Sequence, residues 1–211
     1  MKIGGYELST NTIVPFAYAR HTATSGFRIG GLPPTTATPR FAERPQKYFA
    51  TVELAEGLAI TIFYSLTAFG DVDDNHVILN ANQPLYGSSL IHAVVHPVSP
   101  PFAESEIAAE VSCHAIECGA VQPDQLEVDS PEMPDSVSKI GGRPFAEDEA
   151  STGSAFAELA EQGYVQLVQF YSPNPDEMEY VVDFPWDPGW LHWFVKGDSP
   201  ERWEFAFVIQ N

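Results

Sequence analysis

The sequence has few cysteines and no long apolar run, and both absences limit what the protein can be. Its two cysteines, Cys113 and Cys118, are too few for a disulfide framework in a chain of 211 residues. We therefore expect reduced thiols and a cytoplasmic location. No segment approaches the roughly 18 apolar residues of a membrane-spanning helix. The first ten residues also lack the apolar segment of a secretory signal.

Basic residues are also scarce in this sequence. Ten lysines and arginines stand against 29 aspartates and glutamates, which gives a net charge of −19. This balance excludes a nucleic-acid binder that works through a basic groove. The acid is concentrated in one half: residues 1–100 carry seven acidic and six basic residues, whereas residues 101–211 carry 22 acidic and four basic residues. Such asymmetry indicates a localised acidic face.

An acidic face has two interpretations. It attracts basic proteins and multivalent cations, or it is simply the solvated surface of a soluble protein. Two acidic runs fall in segments that read as loops, where binding residues tend to lie on a rigid scaffold. The sequence therefore predicts a partner-binding surface formed by Glu147, Asp148, Glu149, Asp176, Glu177 and Glu179.

Strand patterns dominate the secondary structure. Runs rich in β-branched and aromatic residues predict strands at 47–54, 58–66, 76–80, 90–96, 164–171, 179–184, 189–195 and 203–209. The last run alternates large apolar residues with Glu204, Ala206 and Val208, which is typical of a half-buried strand. One helix is predicted at 154–162, where Gly163 supplies the stop. Residues 104–111 fit a helix or a strand, and 119–138 read as an exposed connection.

The chain also repeats a short motif. Arg-Ile-Gly-Gly-Leu-Pro at 28–33 returns as Lys-Ile-Gly-Gly-Arg-Pro at 139–144, and each copy precedes two aromatic strands. Paired glycines permit positive φ, so we expect a tight turn at the start of each half, with the basic residue covering a carboxylate or a carbonyl. No phosphate-binding helix start follows either copy.

The repeat sets the predicted architecture. We expect a mainly β single domain over 1–211, with few short helices, in which two duplicated β-rich halves pack into one compact body. The pseudo-repeats cover about 27–100 and 138–211, with a connecting segment at about 101–137.

These motifs resemble the YwqG-like family of bacterial proteins of unknown function. The resemblance is carried by residues 28–33, 48–64, 138–144, 164–170 and 187–210. The chain departs from the family at 34–39, which contains no tryptophan. The resemblance implies a mainly β, internally duplicated fold and no established catalytic residues. It also implies a possible genomic neighbourhood of polymorphic toxin genes, and hence an immunity role.

Candidate metal and catalytic residues give weak signals. Cys113, His114 and Cys118 lack the second ligand pair of a structural zinc site. His92 and His96 on one strand would lie about 13 Å apart, too far to share an ion. We therefore expect no bound metal or cofactor. The run Tyr86-Gly-Ser-Ser-Leu90 lacks the second glycine of a nucleophile elbow.

The aromatic residues of the last strands read mostly as core, with one or two tryptophans available as exposed contacts. They are Trp186, Trp190, Trp193, Phe194, Trp203, Phe205 and Phe207. The sequence thus favours a non-enzymatic acidic interaction protein, in concrete form an immunity protein that neutralises a basic, nuclease-type toxin. A small-molecule-binding β domain and an uncharacterised hydrolase are the competing interpretations.

Overall fold

The structure is a computed structural model, and it describes ten ranges of the chain. They are residues 2–3, 5–20, 26–41, 45–65, 83–87, 90–107, 111–124, 137–146, 150–172 and 189–210. The described part is mainly β, as the sequence predicts, with a single α-helix among these residues.

The strands before the second motif are β1 to β10. They are β1 (Lys2–Ile3), β2 (Tyr6–Glu7), β3 (Thr12–Tyr18), β4 (Arg28–Ile29), β5 (Lys47–Glu53), β6 (Leu58–Tyr64), β7 (Leu85–Tyr86), β8 (Ile91–Pro97), β9 (His114–Cys118) and β10 (Gln122–Pro123). The second motif opens the remaining set: β11 (Ser138–Gly141), α1 (Thr152–Glu161), β12 (Val165–Tyr171), β13 (Trp190–Lys196), a 3₁₀ turn (Pro200–Arg202) and β14 (Glu204–Gln210).

Six of the predicted strands and the predicted helix are confirmed, each within two residues at either end. The strands predicted at 76–80 and 179–184 lie outside the described residues. In the segment predicted as a helix or a strand, residues 104–107 are neither, and 108–110 are not described.

Twelve of the strands form one antiparallel sheet. Its order is β7-β14-β13-β12-β11-β3-β9-β4-β5-β6-β8, and β10 pairs with β3 beside β9. The two ends of this order approach each other, because β14, the neighbour of the end strand β7, contacts the other end strand β8. The sheet therefore curls until it is nearly closed, and its inner face encloses the main core. Large side chains from both halves fill that core: Phe16, Ile29, Phe49, Ile62, Phe170, Leu191, Trp193 and Phe207.

The outer face of the sheet is also covered, in a different way on each half. On the first half, Tyr48, Phe63 and Val94 pack with Ala37 and Ile107 from the surrounding loops. On the second half, α1 covers the sheet. Both faces of these strands are buried. A pattern of alternating apolar and polar residues therefore predicts less burial than the strands have.

Strand β14 shows this difference from the sequence prediction most clearly. The prediction of a half-buried strand was wrong, because Ala206 and Val208 on its second face are also buried. They pack against Phe156 and Leu159 of α1. Only Glu204, at the start of the strand, is exposed.

The central strand β3 was not predicted, and Pro15 is the reason. Proline lacks an N–H and is normally excluded from central strands. Here Pro15 lies opposite the break between β9 and β10, and its carbonyl oxygen accepts a hydrogen bond from the N–H of Gly119 at 2.7 Å. The N–H and C=O of one strand residue point to the same neighbouring strand. The N–H that Pro15 lacks would therefore point to the gap between β9 and β10, where the sheet needs no donor from it.

The segment predicted as a connection contributes β9 to the middle of the sheet. Strands β3 and β9 are antiparallel neighbours. Ala17 lies opposite Glu117, Phe16 opposite Cys118 and Tyr18 opposite Ile116. Each of the two strands then pairs with the opposite half of the chain, β9 with β4 and β3 with β11.

The two Gly-Gly motifs have the same local geometry. All four glycines have positive φ, between 64° and 79°. In the first motif, the buried Arg28 donates hydrogen bonds to the carbonyl oxygens of Gly30 at 2.8 Å and Leu32 at 2.6 Å. In the second motif, the buried Lys139 donates to the carbonyl oxygen of Arg143 at 2.6 Å. The expected tight turn with a basic residue over a carbonyl is confirmed in both.

The strands after each motif also match. Arg28 pairs with Thr51 and Lys139 with Gln169, and each row continues onto the next strand. Both β5 and β12 carry a register shift at the corresponding place, before Ala50 and before Val168. These correspondences support the predicted duplication, which stays a prediction about the origin of the chain.

We expect Gly30→Ala to lower the free energy of unfolding by at least about 3 kcal/mol. The new Cβ would overlap the carbonyl oxygens of Val111 and Ser112 at a positive φ of 64°. Gly57→Ala is the matched control, because Gly57 has a φ of 74° with open space around it, so only about 1 kcal/mol is expected. Urea unfolding of both variants measures the difference, and equal losses would contradict this account of the turn.

Candidate functional site

The six acidic residues predicted to contact a partner lie outside the residues that the structure describes. They are Glu147, Asp148, Glu149, Asp176, Glu177 and Glu179. Their role stays a prediction. The candidate site is therefore built from the described part of the chain.

The two histidines of β8 are both buried and have separate partners. His92 accepts a hydrogen bond at Nε2 from the main-chain N–H of Arg40, at 3.1 Å, and its ring contacts Phe41. His96 lies 2.7 Å from Oγ1 of Thr61 through its own Nε2. Burial lowers the pKa of His96, so its imidazole is neutral at neutral pH.

The cysteine–histidine motif is spread over unrelated contacts. Cys113 and Cys118 are half-buried and form no disulfide, and burial raises the pKa of the Cys118 thiol to about 11. His114 bonds through Nδ1 to the carbonyl oxygen of Ala19 at 2.8 Å. Among the described residues, no three His, Cys, Asp or Glu side chains are grouped to hold a metal ion.

A cleft of about 300 Å³ opens where the two ends of the sheet meet. Strand β8 forms one wall, and β7 with the start of β14 forms the other. Aromatic side chains cover much of its lining, and one cationic and one anionic residue join them. The residues used below are Arg40, Phe41, Tyr86, Tyr164, Trp203 and Glu204. Ligand sites of proteins have this character, with apolar walls and a few charged groups.

Two tyrosine–glutamate pairs lie side by side at this cleft. The hydroxyl of Tyr86 donates to Oε1 of Glu158 at 2.8 Å, and that of Tyr164 donates to Oε2 of Glu204 at 3.4 Å. The ring centroids of the two tyrosines are 6.1 Å apart. These four residues are called the tyrosine–glutamate cluster below. It places two carboxylates next to two aromatic rings.

The environment of the cluster keeps its two phenols protonated. Burial and the bonded carboxylate of Glu158 raise the pKa of Tyr86. Burial and the carboxylate of Glu204 do the same for Tyr164. A raised phenol pKa keeps each hydroxyl a hydrogen-bond donor at neutral pH, and the paired glutamate oxygen accepts. The ammonium of Lys196 lies 5.5 Å from the centroid of the Tyr164 ring, a cation–π contact already present in the fold.

Local structure explains how four distant residues come together. Gly163 ends α1 with a φ of 84°, and the N–H of Tyr164 bonds back to the carbonyl oxygen of Leu159 at 2.9 Å, which turns the chain onto β12. Tyr86 lies on the two-residue strand β7, which pairs with β14. Glu158 lies on the exposed face of α1. The cluster thus rests on three regular elements and a capped turn.

The sequence analysis did not select the cluster. Its members are separated in the chain by as many as about 118 positions, so no local motif connects them. The aromatic prediction came closest: Trp190 and Trp193 are buried in the core, whereas Trp203 is half-buried and lines the cleft. Trp186 lies outside the described residues.

A second polar group is buried beside the Gly-Gly turn of the second half, and its role is structural. Lys139 is 1% exposed, and its Nζ lies 3.8 Å from Oδ1 of Asp124. Oδ2 of the same carboxylate accepts a hydrogen bond from the main-chain N–H of Arg143 at 2.6 Å. Burial lowers the pKa of Lys139 to about 8, while Asp124 opposes the change. The pair fastens the turn to the end of β10.

His192 lies on the outer face of the same half, in the row that follows Lys139 and Gln169. It is fully buried, and its ring centroid lies 4.7 Å from that of Phe156 in α1. Neither ring nitrogen has a hydrogen-bond partner among the described residues. Burial, and then the nearby charge of Lys139, lower the pKa of His192 to about 3.

No family model matches this chain, and comparisons with the curated proteins and with the solved structures find no significant match. The resemblance to the YwqG-like family therefore stays a prediction. Within the described ranges, no helix has both the length and the apolar character needed to cross a membrane.

The buried His192 predicts a stability that falls with acidity. The unfolded chain binds a proton at this imidazole below about pH 6.5, whereas the folded chain binds it only near pH 3. The contribution is therefore fully present above pH 6.5 and falls as the pH is lowered. From pH 7 to pH 5 it amounts to about 2 kcal/mol of unfolding free energy.

His192→Phe removes this term, so the variant should lose about 2 kcal/mol less than the parent between pH 7 and pH 5. Denaturant unfolding at the two pH values measures both losses. The matched control is Ala157→Ser, on the exposed face of α1, which should follow the parent. Parallel curves for parent and His192→Phe would contradict the prediction.

Proposed function

We propose that this chain is a non-enzymatic interaction protein that binds a basic protein partner through the acidic surface of its second half. In its most concrete form it is an immunity protein that neutralises a cationic, nuclease-type bacterial toxin. The observation that carries the proposal is the tyrosine–glutamate cluster. It holds two carboxylates of the half that carries almost all of the net charge beside two aromatic rings, one from each half, on regular elements of the fold.

The distribution of charge in the described part supports the proposal. Glu158, Glu161 and Glu204 are exposed on and beside α1. The bases of this half are mostly engaged or buried: Lys139 is buried with Asp124, Arg143 lies 3.9 Å from the same carboxylate, and Arg202 pairs with Asp198. The fourth base, Lys196, lies opposite Glu204 in the sheet and 5.5 Å from the centroid of the Tyr164 ring, so the positive charge in these residues offsets the exposed glutamates only in part.

A surface of this kind acts on a basic partner in two ways. Its field steers the encounter, and this raises the association rate most at low ionic strength. Its aromatic residues supply the contacts that hold the complex, since tyrosine and tryptophan are enriched among residues that dominate binding energy. The genomic context implied by the family resemblance points to the same class of partner.

Charge reversal of the predicted patches tests the proposal. The partner is captured from the native cell at low salt and purified, and its association rate is measured at several ionic strengths. Changing Glu147, Asp148 and Glu149 together to lysine should slow association at low salt by roughly tenfold and flatten its salt dependence. The same change at Asp176, Glu177 and Glu179 examines the second patch.

A matched control changes Glu7, Glu53 and Glu56 together to lysine, which alters the net charge equally in the near-neutral first half. This control should leave most of the rate unchanged, because steering depends on where the charge lies. Unchanged low-salt rates in both patch variants would show that the acidic face is only a solvated surface. A rate loss in the control equal to that in the patch variants would contradict a localised site.

A further inference from the structure

We infer that the cleft between the two ends of the sheet is the pocket that receives an arginine side chain of the basic partner. This inference rests on the proposed function and names the chemistry of its central contact. Three observations support it: the aromatic lining of the cleft, the carboxylates beside it, and the shape of a guanidinium group.

The aromatic lining suits a flat cation. Tyr86, Tyr164, Trp203 and Phe41 contribute rings to the cleft, and the two tyrosine planes are inclined at 55° to each other. The negative faces of such rings attract cations, most strongly when water is excluded. The fold already uses this contact elsewhere, since the guanidinium of Arg28 lies 4.9 Å from the centroid of the buried Tyr48 ring.

Of the two carboxylates, Glu204 lines the cleft and Glu158 is joined to it through the hydroxyl of Tyr86, and both retain acceptor capacity for an incoming donor. Oε1 of Glu158 accepts from both Tyr86 and Gln162, at 2.8 and 3.1 Å, and Oε2 has no partner among the described residues. Within the described ranges, Glu204 accepts only from Tyr164, through Oε2, which leaves Oε1. An ionised carboxylate has about four lone-pair sites, so each glutamate can accept another charge-assisted hydrogen bond.

A guanidinium satisfies both features at once, whereas an ammonium satisfies them less well. It is planar, stacks on aromatic faces and directs five N–H donors outward in its own plane. The ammonium of lysine is a compact, strongly hydrated charge that loses more hydration when it enters an aromatic cleft. A volume of about 300 Å³ lies at the lower end of the range for ligand pockets, as expected for one side chain.

Arg40 allows a test that distinguishes a cationic from an anionic ligand. It is exposed, it lines the same cleft, and its charge opposes a second cation there. If the ligand is an arginine, removing the charge of Arg40 strengthens binding and removing the charge of Glu204 weakens it. An anionic ligand requires the reverse. The substitutions Arg40→Gln and Glu204→Gln therefore form a matched pair at exposed positions, and thermal unfolding confirms that each variant is folded.

The probe is a blocked pentapeptide with a central arginine between glycines, titrated into the isolated protein and followed by amide and indole NMR shifts. We expect millimolar binding, with shifts at Tyr86, Gly87, Trp203 and Glu204. Replacing the arginine by neutral, isosteric citrulline should weaken binding at least about tenfold, and lysine should bind less tightly than arginine. Glu204→Gln should weaken, and Arg40→Gln strengthen, binding of the arginine peptide several-fold.

Equal binding of the citrulline peptide, shifts confined to other surfaces, or the opposite signs for the two variants would overturn the assignment. The outcome is separable from that of the proposed function. If Glu204→Gln leaves peptide binding unchanged while the patch reversals slow the partner, the function stands and the pocket assignment fails. If the arginine peptide binds as stated but the patch reversals leave the partner's rate unchanged, the pocket stands and the proposed function fails.

Discussion

A buried cation closes each Gly-Gly turn, and the continuity of the sheet depends on these two turns. Arg28 and Lys139 each lie 1% exposed and donate to carbonyl oxygens of the turn that follows them. These carbonyl oxygens are buried or partly buried, so a donor from the chain replaces the water that they lose on folding. Each turn also abuts the strand that arrives from the opposite half, at Ser112 in one case and at Ile13 in the other. Joining the halves into one curled sheet is therefore coupled to burying the two charges.

The parts of the fold that the sequence predicts are those set by local pattern. Strands such as β5, β6 and β12 are dense in β-branched and aromatic residues, and Gly163 marks the end of α1. The missed strands depend on distant partners: β3 contains Pro15, and β4 is two residues long. The second burial layer on β14 comes from α1, which is distant in sequence from that strand. The candidate site is harder still, because Tyr86, Glu158 and Glu204 become neighbours only after the sheet curls.

The acidity of the chain has different effects inside and outside the protein. Asp124 is buried because Lys139 and the N–H of Arg143 satisfy its oxygens, so this carboxylate contributes to the fold and not to the surface field. The glutamates on and beside α1 bond to neutral phenol or amide groups, which orient them without cancelling their charge. A hydrogen bond from a neutral donor fixes a carboxylate in place and leaves its electrostatic reach intact. The neutral donors therefore position the glutamate side chains without neutralising their charge.

The junction between β8 and β14 is the place in the sheet where the tyrosine–glutamate cluster can contact a ligand. Elsewhere, backbone hydrogen bonds hold neighbouring strands close together, and packed side chains cover both faces of the sheet. Little room is left there for a ligand. Where β8 meets β14, no backbone pairing joins them among the described residues, and side chains from both strands line an opening. Residues at such a junction are positioned by regular structure on either side, yet they are free of the packing that fixes the core. The curl that encloses the apolar interior thus also produces a cleft in which aromatic rings from both halves and the carboxylate of Glu204 line one opening.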